Sequence, residues 1–136
     1  LVLPHRFSAS VFWTLAAGRR CTWINVVPTI ISYLLAGADP REQGIDLSGL
    51  KFCRSASAPL PPEHHRAFEA KFGIGVIETM GLTETAAPCF TNPLDPAQRK
   101  IGSPGCAFGN EAKIIDAEGR TVPAGTVGEI MVGGPN

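Results

Sequence analysis

The chain has 136 residues, 44% of them hydrophobic, and its 12 basic residues balance its 12 acidic ones. A domain of this size buries roughly two-thirds of the surface its unfolded chain exposes, so a real core is within reach. The even balance argues against the basic footprint of a nucleic-acid binder or a polybasic membrane patch, and no apolar run reaches the roughly 18 residues of a membrane span.

Residues 1–3 are apolar and fit a short strand. Ser8 or Ser10 can cap a helix running to about Ala17, with Val11, Phe12 and Leu15 on one face and Gly18 as its stop. Residues 22–27 are β-branched and aromatic and read as a buried strand. Pro28 suits the first turn of a helix whose apolar stripe is Ile30, Ile31, Leu34 and Leu35, ended by Gly37. Residues 38–49 are polar and loop-like. Residues 50–54 form a second strand and run into "SASAPLPP", where small residues and prolines forbid its continuation. Pro62 and Glu63 open a helix to about Phe72 that buries Phe68 and Phe72, with Gly73 as its stop. Residues 75–79 are a third strand, leading into "ETMGLTETAAP" at residues 78–88.

Alternating strand and helix predict an α/β fold, a parallel sheet flanked by helices. After about Ile101 the texture changes. Residues 111–116 and 127–132 alternate apolar and polar positions around a turn-rich stretch, which predicts a small antiparallel β unit at the C-terminal end. Residues 1–100 are thus expected to form the α/β layer, and residues 101–136 to begin a β-rich subdomain.

Cys21, Cys53, Cys89 and Cys106 are far apart, with no metal-site spacing, and are expected to be reduced, partly buried thiols in a soluble, cytoplasmic-type protein. His64 and His65 are adjacent, so on a helix they do not face one site; they are expected on a solvated helix turn. Cys89 reads as packing rather than as a nucleophile, for want of an identifiable base.

Ligands of a parallel α/β sheet collect at the carboxyl ends of its strands. "SASAPLP" offers small side chains, which let a flat ring approach the backbone. "MGLTETAAP" offers the Thr83 hydroxyl and the Glu84 carboxylate; Mg²⁺ at a nucleotide takes one or two carboxylates together with phosphate oxygens and water. Either stretch alone reads equally well as a solvated loop.

The order of the pieces adds to this. "SASAPLP", a helix, "ETMGLTET", "IGSPG" and "DAEGRTVPAGTVGEIMVGG" together resemble the adenylate-forming (AMP-binding) superfamily of acyl-CoA synthetases, luciferases and peptide-synthetase adenylation domains. "RFSASVFW" and "TWINVVPTIISYLL" extend the resemblance upstream, and Gly81-Leu82-Thr83-Glu84, matching the family's G-x-T-E, is its most specific element. The resemblance implies attack of a carboxylate on the α-phosphate of ATP, giving acyl-AMP, and then thioester formation with coenzyme A. It implies that Thr83 contacts phosphate, Glu84 binds Mg²⁺, and Ser57, Ala58 and Pro59 line the adenine, with Glu78, Thr79, Met80 and Gly81 on its other side. Met80 stands where the family often has an aromatic residue. Ala86, Ala87 and Pro88 match positions bordering the acyl pocket. The family's Ser/Thr/Gly-rich phosphate loop, ribose aspartate and C-terminal lysine have no match in the chain.

The chain is therefore expected to be a central fragment of the family's large N-terminal domain, inactive alone, from an ATP-, Mg²⁺- and CoA-using acyl-CoA synthetase acting on a small carboxylic acid, as in fatty acid metabolism. The alternatives are a fragment of an aryl-acid or amino-acid adenylation domain, and a non-catalytic fragment that binds nucleotide weakly and associates as a homodimer.

Overall fold

A computed structural model describes residues 1–86 and 88–134. Helix α1 (Ala9–Gly18) leads to strand β1 (Trp23–Val26), helix α2 (Pro28–Ala36), strand β2 (Phe52–Ser55), helix α3 (Pro62–Phe72) and strand β3 (Val76–Gly81). Strands β4 (Pro88–Thr91) and β5 (Cys106–Ala107) complete a five-stranded sheet in the order β1-β2-β3-β4-β5. β1, β2 and β3 are parallel, and β4 and β5 are antiparallel additions. Strands β6 (Glu111–Ile115) and β7 (Glu129–Gly133) pair antiparallel as a separate two-stranded sheet.

The expected α/β layer and terminal hairpin are present, and the differences lie in the added strands β4 and β5, in residues 1–3 and in helix α1. Residues 1–3 form no strand, and Leu1 and Leu3 are exposed: among the described residues no neighbouring strand takes up their hydrogen bonds. Helix α1 ends on Gly18 as expected, but its left-handed closing residue is Arg20, at φ 52°. Arg20 N–H bonds to Ala17 O at 2.8 Å and Cys21 N–H to Ala16 O at 2.9 Å, a Schellman closure built on a non-glycine residue. The buried face of α1 is Trp13 and Ala16 rather than Val11, which stays exposed. The large indole turns inward to Phe72, with ring centroids 4.8 Å apart.

Proline and glycine punctuation sets the other helices. Pro28 and Pro62 occupy their first turns, where a missing N–H costs nothing, and Gly73 ends α3 at φ 69°. Ile31 and Leu34 of α2 and Phe68 and Phe72 of α3 meet Ile24, Val26, Cys53 and Val76 in one core. Strand alternation then divides the sheet. Ile24, Val26, Cys53, Ser55 and Val76 face the helices and are buried. Trp23, Asn25, Phe52 and Arg54 lie on the opposite face, where Trp23 stacks on Phe52 at 5.5 Å.

Candidate functional site

Parallel pairing fixes where the two chemistry-bearing loops begin. Ser55, the last residue of β2, is in register with Glu78 of β3, so residues 56–61 leave the sheet beside the strand that delivers the Gly-Leu-Thr-Glu turn. Ser57, Ala58 and Pro59 are exposed on the first loop, and Leu60 is buried beneath them as its anchor. Ser57 holds a left-handed backbone at φ 76°, a conformation that costs a non-glycine residue about 1 kcal/mol or more.

The second loop is the tip of the β3–β4 hairpin. The register slips between Met80 and Gly81, and a 3₁₀ turn spans Thr83–Thr85. Thr85 braces this turn: its Oγ1 accepts from Leu82 N–H at 3.1 Å and donates to Leu82 O at 3.0 Å. Ala86 leaves the turn at φ 55°. With Thr85 tied down, Thr83 and Glu84 are exposed and free of ion-pair partners among the described residues. Pro88 opens β4. The expectation for Ala87 lies outside the described residues.

Glu78 and Thr79 point to opposite faces of the sheet. Glu78 is 7% exposed, and its Oε1 lies 3.2 Å from Nδ1 of His65. Its carboxylate is therefore directed at α3 and away from the loops. Thr79 faces the other side, where its Oγ1 accepts from Arg54 Nε at 3.0 Å.

Contrary to the expected solvated turn, His65 lies inside the protein. His65 is 1% exposed, with Nε2 3.3 Å from Glu69 Oε1. Neighbouring helical positions diverge: His64 turns to α2, where its Nδ1 meets Ser32 Oγ at 3.2 Å, while His65 turns to the sheet. Glu69 also accepts from Val76 N–H at 2.7 Å and lies 3.5 Å from Nη1 of Arg99. Arg99 Nε in turn donates to Pro93 O at 2.9 Å. Asn92 adds a second tie by donating to Ser103 O at 2.6 Å and accepting from Lys100 N–H at 3.1 Å. This polar layer clamps the root of the hairpin. Its one sequence signal was the i, i+4 pair His65 and Glu69.

Among the described residues, no group of three or more His, Cys, Asp or Glu side chains could hold a metal ion. A lone exposed carboxylate at Glu84 fits a hard cation carried in by phosphate oxygens and water.

The sequence matches the AMP-binding enzyme family over residues 1–136. The chain belongs to that family. A sulfoacetate–CoA ligase of Cupriavidus necator is 62% identical over 134 residues, 98% of this chain and 26% of the relative. An oxalate–CoA ligase of Saccharomyces cerevisiae is 31% identical over 136 residues, 100% of this chain and 24% of the relative. The solved structure of a Bacillus subtilis o-succinylbenzoate coenzyme A synthetase, in complex with ATP and magnesium ion, superposes with a TM-score of 0.81. It is 29% identical, and the match covers 99% of this chain and 27% of that one. The chain thus spans about a quarter of the length of these AMP-binding relatives. Among the described residues no helix is long and apolar enough to cross a membrane.

Proposed function

We propose that this chain is the nucleotide-loop portion of an AMP-forming CoA ligase. The ligase activates a short carboxylic acid as acyl-AMP, releases pyrophosphate, and passes the acyl group to the thiol of coenzyme A. Residues 1–100 serve as the α/β layer that presents both loops. Residues 101–136 begin a β-rich subdomain, with β5 lending its strand to the larger sheet. The observation that carries the reading is the register of Ser55 with Glu78, which starts both loops from adjacent strands at one end of the sheet.

The first step brings a carboxylate to a polyphosphate, so like charges must be offset where they meet. Thr83 donates its hydroxyl to a phosphate oxygen. Glu84 holds Mg²⁺, which supplies positive charge at the phosphates when bound. Ser57, Ala58 and Pro59 have no bulk to keep a purine from the backbone, and they form one wall for it. Thr79, Met80 and Gly81 form the other wall, with a thioether in place of a ring face at Met80, and Glu78 contributes backbone alone. Ala86, Ala87 and Pro88 border the acyl pocket. Identity of 62% to a sulfoacetate–CoA ligase supports a short acid bearing a second anionic group as the substrate class. The four free cysteines accord with a reducing cytoplasm.

The test is acid-dependent ATP–pyrophosphate exchange by the full-length protein. Exchange driven by sulfoacetate or a comparable dianion, and thioester formation on adding CoA, is the expected result. Absence of exchange across short mono- and dianionic acids rejects the reading. The isolated 136-residue chain is expected to show no exchange above a Glu84→Ala control, and to self-associate through the apolar face that carries Trp23 and Phe52. Light scattering reads that second outcome.

A further inference from the structure

The sheet face opposite the helices carries a groove of about 820 Å³, whose lining includes Phe52, Arg54, Ile77, Thr79, Pro88 and Phe108. Most of that lining is apolar, and Arg54 is its one charged residue. The guanidinium has two neutral partners: Nε donates to Thr79 Oγ1 at 3.0 Å and Nη1 to Asn25 Oδ1 at 3.3 Å. Among the described residues no carboxylate lies within ion-pair distance of it and no group accepts from its Nη2. Asn25 and Thr79 pin the side chain from either side, so its planar fork is held in place before any ligand arrives.

Arg54 is half-buried, and a guanidinium held in place against apolar walls pairs favourably with an oxyanion. The groove reaches the T-E hairpin through Thr79 on β3 and Pro88 on β4. A short acid whose carboxylate sits beside Thr79 and Pro88 has room to extend its far end along this groove. We infer that Arg54 is a specificity-determining residue that receives the second anionic group, a sulfonate or carboxylate, of a short dianionic acid. The inference rests on the function proposed above and names the group that selects its substrate.

The experiment uses the full-length protein and its Arg54→Met and Arg54→Lys variants. It compares kcat/KM for sulfoacetate with that for 3,3-dimethylbutyrate, in which an uncharged tert-butyl group replaces the sulfonate, and records KM for ATP. Loss of one charge-assisted contact predicts that Arg54→Met lowers the sulfoacetate-to-dimethylbutyrate ratio by about 10-fold or more. Most of that loss is expected in KM for the acid, any rise in KM for ATP through Thr79 is common to both acids, and Arg54→Lys restores part of the ratio. The ratio is read on one preparation, so a smaller folded fraction cancels. An unchanged ratio, or a loss confined to KM for ATP, overturns the assignment. If the unaltered protein activates neither acid, the functional reading itself fails and the role of Arg54 falls with it.

Discussion

Nδ1 of His65 lies 3.2 Å from Oε1 of Glu78, joining helix α3 to the strand that delivers the T-E turn. The imidazole is 2% exposed and the carboxylate 10%. Removing one partner of so enclosed a pair leaves the other buried and unmatched. His65→Ala is expected to lower stability by about 3 kcal/mol. Glu78→Gln, which keeps an acceptor for the ring, is expected to cost about 1 kcal/mol. Urea unfolding of the two variants checks the order. Equal, small effects would mean that the pair does not brace the strand.

Gly105 sits at φ +93°, and a Cβ there would fall 2.1 Å from Thr91 O, inside the β4–β5 ladder. A backbone carbonyl cannot swing away as a side chain can, so Gly105→Ala must part the two strands. A destabilisation of about 2 kcal/mol or more is expected, seen as a lower urea midpoint. An unchanged midpoint would contradict the close approach.

Burial pushes the Cys53 thiol up from its ordinary 9.0 to about 12. The folded state therefore keeps a proton that the unfolded chain releases. This contribution to stability is fully present below pH 9.0 and is lost as pH rises from there toward 12. In a thiol-labelling experiment at neutral pH, exposed Cys106 is expected to react first, with buried Cys53 and Cys89 protected until unfolding. Cys53 reacting in step with Cys106 would show that the β2 core is open.

Much of the fold was legible because punctuation and periodicity agreed. Pro62, Phe68, Phe72 and Gly73 mark α3 from cap to stop, and β2 and β3 flank it as apolar runs. What escaped depends on partners distant in the chain. β4 and β5 are short, and β4 opens on a proline; their existence rests on β3 as a template. Periodicity does not say which of Val11 and Trp13 turns inward, since Phe72 decides it across the core. The loop candidates around Pro59 and Thr83 were readable as small or hydroxylated residues at strand ends. The buried setting of His65, the inward carboxylate of Glu78 and the neutral partners of the Arg54 guanidinium were not, because each is set by the neighbouring element.

Glu84 carries the proposed chemistry most directly. Acid-dependent ATP–pyrophosphate exchange of the full-length protein and its Glu84→Gln variant, at limiting Mg²⁺, measures whether that carboxylate serves the nucleotide. A fall of about 10²-fold or more is predicted, in line with other losses of charge stabilisation at a reacting centre. Near-normal exchange by the variant would contradict the role given to the T-E turn.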